Sequence, residues 1–420
     1  MPPNKSGQRL KNRALAKVGT FRGAASQWCN RLYRVSPEWE EGVVWSVCAL
    51  RPLRKACLLP SWRNRDRVEE RISERNMNVT LRRALSVCAL AGSFALWLTL
   101  AIGGGSAEAK NSVVGPGESI QKAVNAAHPG DTIVIKGVHK EDVVIRKNGI
   151  KLRGIDNAVI EPPARADSPC SRAFGPSGIC VLGDVNLKTF KVDRYASDVS
   201  VSGFTIRGFK EGISAFGARN TTLATNHAIG NTGNNIVAFT APGTEILSSV
   251  LRGPSVASIF VGGTNPANAK IAANEVSGSD FGIFVSDARG GSIAGNEVHN
   301  NCAGVFFASD EERVRDFDVK GNTVKDNNRA CPEFDVSGIG IALFGSRNID
   351  VTGNQISGNI RSGSTEASGG VVVADGSRDS SVTGNRFGRN KPDIFWDKSG
   401  SGNRFVGNDC DTSVPTSLCQ

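Results

Sequence analysis

Apolar and polar residues alternate around a Gly-Asn pair that recurs down the second half of the chain, at intervals of about 18 to 32 residues. One apolar column stands three positions before the repeated Asn and consists of Val201, Leu223, Ile246, Ile271, Ile293, Val319, Val351 and Val382. Another stands two positions after it and consists of Ile206, Leu251, Val276, Val298, Val324, Ile356, Phe387 and Phe405. The residue between the Asn and this second column is variable and mostly polar. The pattern therefore predicts short strands with one buried face.

A third apolar column follows roughly nine residues after the repeated Asn and consists of Ile213, Ile236, Ile259, Ile283, Val305, Ile341, Val371 and Ile394. Gly and Asn turns separate the strands, and helical periodicity is almost absent. One coil of this length cannot bury its own apolar face, but stacked coils share a core. The repeat therefore predicts an all-β solenoid of about 22–25 residues per coil over residues 110–420. We expect the repeated Asn to form a ladder inside it.

The predicted solenoid has distinct ends. Residues 117–127 have a helical period and are expected to cap the N-terminal end of the core, because solenoids need a covered end. Residues 129–135 and 149–154 would start the first coils. Residues 394–396 and a loop between the last two cysteines would close the far end.

These features, from Ser119 to Gly154 and on through the repeats to Asn408, resemble the secreted right-handed parallel β-helix repeat proteins of actinobacteria. Their pectate-lyase-like superfamily includes pectate lyases, alginate epimerases and lyases, and periplasmic copper-site accessory proteins. The resemblance implies a right-handed parallel β-helix with a short capping helix. It does not imply one activity, because this fold carries many chemistries and function depends on the site.

The excess of positive over negative charge is confined to the front of the chain. Residues 1–83 hold 18 Lys and Arg against 7 Asp and Glu, whereas residues 110–420 hold 32 of each. The repeat domain is therefore neutral, and the basic isoelectric point gives no reason to expect nucleic-acid binding. Residues 1–76 show no period, and we expect translation to start at Met77, which places them outside the mature protein.

Residues 77–109 have the order of a secretory signal peptide. A basic stretch with an Arg pair precedes an apolar run over residues 84–102, and an Ala-x-Ala motif ends at Ala109. We expect cleavage after Ala109 and a secreted domain, residues 110–420, that is free of the membrane. The alternative is a membrane anchor formed by the apolar run, whose length is close to that of a span.

The part of the chain after Ala109 has an even number of cysteines, which suits disulfide bonding in an exported protein. Many connectivities are possible. Our hypothesis is that neighbours pair, which gives Cys170–Cys180, Cys302–Cys331 and Cys410–Cys419. No Cys-x-x-Cys motif occurs, which argues against a zinc or redox site.

Charged residues follow the third apolar column at fixed distances. Four positions after it, among glycines, come Asp287 and Asp375, and six or seven after it come Arg219, Arg289, Arg347 and Arg378. Stacked coils would align them along one edge. We expect the candidate catalytic residues to be Asp287, Arg289, His299 and Asp310, and the candidate calcium ligands to be Asp287, Asp310 and Glu311. The competing interpretation is a solvated row of salt-bridged turns.

Two adjacent coils are enlarged, by insertions over residues 325–337 and 357–369. Insertions of this kind fall on one face and commonly build a binding face. A Cys302–Cys331 bond would pin the first insertion. The candidate substrate-binding residues on this face and the neighbouring edge are Arg329, Glu333, Asp335, Arg361, Glu366 and Arg378. The alternative is that these inserted loops have no role in binding.

The sequence favours a monomeric cell-envelope or extracellular protein that contacts polysaccharide without an identifiable catalytic set. We expect phenylalanines mainly at core positions, so sugar-stacking platforms would be few. One alternative is a calcium-assisted polysaccharide lyase or C5-epimerase, but the Asp-Pro-His-Asp motif of alginate epimerases is absent. Another is a periplasmic metal-delivery protein, which is disfavoured by the wide spacing of His128, His139, His227 and His299.

Overall fold

The computed structural model describes residues 109–186, 189–253, 255–309 and 314–419. The predicted upstream segment and signal peptide, up to residue 108, lie outside these ranges. Within them, the chain winds into a right-handed parallel β-helix, as the repeat predicts. No helix in this described part is long and apolar enough to cross a lipid bilayer.

Three stacks of parallel strands form the faces of the helix and are called here the first, second and third sheets. The first sheet is built from Asn111–Val114, Thr132–Lys140, Lys151–Glu161, Ser200–Ser202, Thr222–Ala224, Glu245–Leu247, Ala269–Ala272, the end of Phe281–Ala294, Arg315–Lys320, Arg347–Thr352, Ser381–Thr383 and Arg404–Val406. The second sheet takes the ends of Thr132–Lys140 and Lys151–Glu161, followed by Thr205–Arg207, His227–Ile229, Val250–Arg252, Glu275–Ser277, Glu297–His299, Thr323–Lys325, Gln355–Ser357 and Arg386–Gly388.

The third sheet completes each coil. Its strands are Val143–Ile145, Ser177–Leu182, Glu211–Phe216, Asn234–Phe239, Ala257–Thr264, the start of Phe281–Ala294, Ala303–Ala308, Ile339–Phe344, Gly369–Ala374, Ile394–Trp396 and Ser413–Val414. Short pairs outside the three sheets are Asp184–Val185 with Val192–Arg194, Ala196–Ser197 with Ala218–Arg219, and Ala330–Cys331 with Val336–Ser337.

The ends are closed much as predicted. Helix α1 (Ile120–Ala126) begins where the Ser119 side chain accepts a hydrogen bond from the Lys122 N–H, and it buries Ile120 and Val124 in the core. Helix α2 (Pro169–Phe174) lies outside the coils, against the third sheet. At the far end, a 3-10 turn over Thr416–Leu418 buries Leu418 in the core.

The core consists of the three predicted apolar columns. Ile206, Ile271 and Ile341 are representative, and each is fully buried inside the coils. One member was assigned to the wrong sheet. Phe405 pairs with Val382 in the first sheet, because the last ladder position is Asn408 and not Asn403.

The repeated Asn forms the expected ladder between the first and second sheets. At Asn322, the side-chain oxygen accepts the Asn296 N–H at 2.9 Å, and the amide nitrogen donates to the Ile293 carbonyl and to Asn354 Oδ1, both at 2.9 Å. The preceding Gly321 has φ 62°, a left-handed conformation that glycine adopts without strain. This explains why glycine and asparagine recur together.

A second ladder, which the sequence analysis missed, stands between the second and third sheets. Its asparagines are fully or almost fully buried and bond from coil to coil in the order Asn301, Asn327, Asn359 and Asn390. It stands five residues after the first ladder, and the variable turns between the two conceal it in the sequence.

Phenylalanines depart from their expected positions. Phe204, Phe209 and Phe307 are in the core, but a larger group lines the outside of the third sheet. Ring centroids 5.4 to 6.5 Å apart connect this outer aromatic row, which consists of Phe216, Phe239, Phe260, Phe284, Phe306 and Phe344. Both faces of the third sheet are therefore apolar, so alternation alone could not assign its phenylalanines to one face.

Candidate functional site

The two insertions lie against the outside of the third sheet and form one projecting wall, called here the ledge (residues 326–338 and 358–368). Phe334 and Val336 from the first insertion and Ala367 from the second are buried in the cluster that contains the outer aromatic row. The prediction that the insertions share one face is confirmed.

Hydrogen bonds join the two parts of the ledge. The Ser362 N–H donates to Ser337 Oγ at 3.0 Å, and Ser364 Oγ donates to Asp335 Oδ1 at 2.5 Å. A further bond of 2.6 Å runs from the Ile360 N–H to the Asn328 side chain. The ledge therefore holds its shape through contacts other than its disulfide.

Disulfide bonds form between the neighbours named in the sequence analysis. They are Cys170–Cys180, Cys302–Cys331 and Cys410–Cys419. The second of them ties the ledge to the β-helix, because Cys302 directly precedes a third-sheet strand whereas Cys331 belongs to the inserted hairpin.

A carboxylate stands beside this disulfide. Oδ1 of Asp280 lies 3.1 Å from Sγ of Cys331, and the ligand atoms of Asp280, Cys302 and Cys331 all lie within 4.8 Å of one another. The pairing of Phe281 with Ala303 places Asp280 and Cys302 at equivalent positions in neighbouring coils. Two of the three groups are therefore fixed by the β-helix and the third by the ledge.

The surroundings of this group are apolar on one side and charged on the other. Phe281 and Phe334 have ring centroids 5.1 Å apart beside the sulfurs. Burial raises the pKa of Asp280 to about 6, the positive charge of Arg329 opposes this rise, and the negative charge of Glu333 adds to it. The Arg329 guanidinium also donates to the carbonyl of Gly278.

The predicted substrate-binding residues are placed unequally. Arg329 and Glu333 flank Asp280, as just described, and Asp335 is engaged within the ledge by Ser364. Arg361 and Glu366 are exposed on the second insertion. The ledge therefore carries these five residues as expected, but Asp280, which the sequence analysis did not name, stands between two of them.

The column that suggested an acidic edge has a conformational explanation. Asp287 has φ 50° and Asp375 has φ 55°, and glycines at the same turn, such as Gly217 and Gly345, both have φ 57°. Gly and Asp both occur at this position because both tolerate the left-handed conformation. The column is set by backbone geometry, and its acidic members are separated by other residue types.

The arginines of that edge are engaged in structural contacts. Arg289 Nε donates to Asp316 Oδ2 at 2.8 Å, and the Asn348 side chain together with Arg289 lowers the pKa of Asp316. Arg347 pairs with Asp379 at 3.0 Å. Of the remaining two arginines, Arg219 lies with its guanidinium carbon 4.2 Å from the ring centroid of Tyr195. The backbone of Arg378 forms an isolated parallel β-bridge with Arg347.

His299 lies away from the Asp287 edge, contrary to the grouping made from sequence proximity. It ends a strand of the second sheet. Asp287 lies where the strand Phe281–Ala294 passes from the third sheet to the first, and Arg289 pairs with Arg315 in the first sheet. Its Nε2 lies 3.9 Å from Glu275, and its Nδ1 contacts the Asn300 amide at 2.9 Å. Asp310 and Glu311 lie outside the described residues, so the calcium ligands named from the sequence stay a prediction.

The other histidines do not converge either. His139 is buried, with its ring nitrogens 3.1 and 3.0 Å from the carbonyls of Glu118 and Lys136. His128 stands beside Asp131 near the N-terminal cap. Among the described residues, the group Asp280, Cys302 and Cys331 is the one set of three ligand-type side chains close enough together to hold a metal ion.

The sequence profile of a family described as periplasmic copper-binding protein (NosD) matches residues 124–312 and 261–415, which together cover well over half of the chain. The chain belongs to the NosD family. No curated protein sequence matches it significantly. The family match extends over the coils that carry Asp280, Cys302, Cys331 and the ledge.

Solved structures similar to this NosD-family chain are also parallel β-helices. The A-module of the mannuronan C-5 epimerase AlgE4 of Azotobacter vinelandii has a TM-score of 0.49 and 15% identity, over 69% of this chain and 88% of that one. Pectate lyase Pel9A has a TM-score of 0.47 and 11% identity, over 74% and 81%. The Dettilon tailspike protein has a TM-score of 0.47 and 14% identity, over 72% and 68%. At these identities the likeness concerns the fold alone.

The donor set of the three-residue group suits a soft metal only when both sulfurs are thiolates. Thiolate sulfur favours Cu(I), whereas a disulfide sulfur is a poor ligand. The carboxylate of Asp280 adds an oxygen ligand and a compensating charge. The residues of the NosD-family chain therefore fit copper in the reduced state of Cys302 and Cys331.

Proposed function

We propose that the chain is a periplasmic accessory protein that carries copper, bound as Cu(I) between Cys302, Cys331 and Asp280. The observation that supports this most directly is the convergence of the three ligand atoms within 4.8 Å. The family description, periplasmic and copper-binding, agrees with it. Copper is cargo in this proposal, so the protein needs to hold and release the ion and needs no catalytic acid or base.

The environment of the group supports binding of a soft ion. Cys302 is fully buried and Cys331 is 6% exposed, both among phenylalanines, so water has little access to the sulfurs. Asp280 is only partly buried, which leaves a path for the ion from its carboxylate side. An apolar shell of this kind around thiolates favours Cu(I) over harder, strongly hydrated ions.

The test is competition for Cu(I). The full chain would be produced in an exporting host, purified from the periplasm, reduced without oxygen and titrated against a coloured Cu(I) chelator. We expect the reduced protein to retain one Cu(I), the Cys302→Ser/Cys331→Ser variant to lose it, and Asp280→Asn to weaken it about tenfold. The matched control, Cys170→Ser/Cys180→Ser, removes a different local disulfide and should bind normally. Equal binding by both double variants would refute the site.

Polysaccharide contact is a second candidate, supported by the ledge. Hydrogen bonds unite its two insertions, and the exposed guanidinium groups of Arg329 and Arg361 could each pair with a uronate carboxylate. The ledge also carries more acidic than basic residues, so contact with a uronate chain would depend on these two groups. We expect immobilised uronate polymers to retain the protein, and Arg361→Ala to reduce retention more than Arg404→Ala on the first sheet. Absorbance of new double bonds would show lyase activity, and proton exchange at C5 would show epimerase activity. Equal retention of both variants would count against the ledge.

A further inference from the structure

The two sulfur atoms of the Cys302–Cys331 bond are also two of the three proposed copper ligands. In the oxidised state each sulfur is bonded to the other, so neither is a thiolate. Among the described residues, neither of the other two disulfides belongs to a comparable set of ligand-type side chains. The state of this one bond therefore determines whether the three-ligand set exists.

Contacts other than the disulfide hold the ledge, so we expect it to keep its position when that bond opens. The Arg329 N–H donates to the carbonyl of Asn301 at 3.1 Å, directly beside Cys302. The Ser337–Ser362 bond and the Phe281–Phe334 ring contact hold the hairpin from two further sides. The Cys331 side chain is thus kept close to Cys302 by contacts that do not depend on the disulfide. A pre-positioned pair of thiols loses little conformational entropy when it closes on an ion.

We propose that the Cys302–Cys331 disulfide is a redox gate on the copper site, opened by a dithiol reductant. This rests on the proposed function, because the gate regulates the copper site described above. The oxidised protein is closed to copper, and the reduced protein presents two sulfurs and the Asp280 carboxylate. Opening the bond changes the ligand set without requiring a change in the β-helix.

The exchange balances as a two-electron transfer. A thiolate of the dithiol attacks Cys331, the more exposed sulfur, and the S–S electron pair leaves on Cys302. The second thiol of the reductant loses its proton to solvent. The resulting thiolate attacks the reductant's other sulfur, which is bonded to Cys331 in the mixed disulfide, and releases Cys331. The reductant departs as a disulfide. The two protein sulfurs take up protons from solvent or, as thiolates, bind Cu(I).

The order of bond opening is the first measurement. The folded full-length protein would be incubated with graded dithiothreitol, and free thiols would be alkylated and assigned by peptide mass spectrometry. We expect Cys302 and Cys331 to become alkylated while circular dichroism remains that of the folded β-helix. The gate is overturned if these cysteines react only after the dichroism signal is lost.

Copper retention is then compared in the two redox states with the same chelator. We expect the oxidised protein to retain no Cu(I) and the partially reduced protein to retain one ion, with Cys170→Ser/Cys180→Ser behaving like the unmodified protein. Equal retention in both states would overturn the gate and the assignment of Cu(I) to these two thiolates. Retention by the reduced protein alone, with a bond that opens only on unfolding, would overturn the gate and leave the proposed function standing. No retention in either state, with the thiols shown to be free, would overturn the proposed function and the gate with it.

A milder variant tests the role of the ledge in keeping the sulfurs together. Phe334→Ala removes the ring contact with Phe281 but leaves all three ligands in place. We expect the bond to open at lower dithiothreitol and the reduced protein to hold Cu(I) about tenfold more weakly. Unchanged copper affinity would show that the ledge does not position Cys331, and the pre-positioning argument for the gate would fail.

Discussion

At the scale of single residues, the Asn ladder is the clearest link between sequence and stability. Asn322→Ala would leave the buried Asn296 N–H and the Ile293 carbonyl without their partners. Each unpaired buried polar group costs about 1–3 kcal/mol, so we expect a loss of about 2–4 kcal/mol in the free energy of unfolding. Urea denaturation measures it. Gln355→Ala, at an exposed position of the second sheet, is the control and should change stability by less than about 0.5 kcal/mol.

A buried carboxyl gives a second prediction at this scale. Burial raises the pKa of Glu211 to about 7, and the hydrogen bond from the Asn234 amide at 2.9 Å opposes the rise. A raised pKa means that the folded state binds the proton more tightly, so the contribution is complete below pH 4.5 and is lost as the pH rises through about 7. We therefore expect thermal stability to fall between pH 5 and pH 8.

The Glu211→Gln variant removes this titration while it keeps the size of the side chain and an acceptor for Asn234. Its melting temperature should be higher than that of the unmodified protein at pH 8 and should vary less with pH. Glu245→Gln, at a partly exposed ion pair with Lys270, is the control and should keep the original pH profile. A parallel fall in melting temperature for Glu211→Gln would show that another group titrates.

Residues that recur, and cysteines that could pair with a neighbour, could be predicted from the sequence, whereas a single carboxylate such as Asp280 could not. Asn322 could be predicted because asparagine recurs at its position in most coils, with exceptions such as Ser249. Asp280 and Cys302 occupy equivalent positions in neighbouring coils, but neither recurs along the chain. The pairing of Cys302 with Cys331 was predicted from the sequence, but the fold alone shows that Asp280 lies beside Cys331. The Asp287 column recurs for a conformational reason, since its turn is left-handed, and the catalytic role of its acidic members stays a prediction.

At the scale of elements, the spacing of the coils leaves no room for a side chain at certain strand positions. A Cβ at Gly304, next to the second Asn ladder, would lie 2.6 Å from the carbonyl oxygen of Gly340 and 2.8 Å from the Val324 side chain. We expect Gly304→Ala to destabilise the fold by about 1–3 kcal/mol, because the neighbouring backbone must move. Gly388 is the matched control in the second sheet, since nothing lies within 4 Å of a Cβ there. Urea denaturation should show Gly388→Ala to be nearly neutral.

The elements also explain why the fold was easier to predict than the site. Strand periods and turn residues are repeated many times, so errors such as the placement of Phe405 do not alter the architecture. The outer aromatic row and the ledge depend on what packs outside the coils. That packing has no period, and a strand with two apolar faces does not reveal which face holds a given Phe.

At the scale of the whole chain, the start of the mature protein remains a prediction with a structural consequence. Cleavage after Ala109 would convert the N–H of Lys110 into a charged α-amino group. That nitrogen lies 2.8 Å from Asp131 Oδ1, and the backbone N–H groups of His128 and Lys110 already lower the pKa of this carboxyl. The new terminus would therefore meet a carboxylate held in its ionised form, which favours an ordered first strand.

Intact mass spectrometry of the protein from the periplasm decides whether the chain begins at Lys110. Asp131→Asn serves as the companion variant, since it can keep one acceptor oxygen for the Lys110 nitrogen but removes the charge that would pair with the new α-amino group. It also loses the second acceptor, which the His128 N–H uses, in cut and uncut protein alike. If cleavage occurs there, Asp131→Asn should speed proteolysis from the mature N-terminus. In protein left uncut, the Lys110 nitrogen is a neutral amide and the same substitution should have a smaller effect. A larger mass that includes residues 84–102 would instead support the membrane-anchor alternative, and it would place the copper site on a tethered protein.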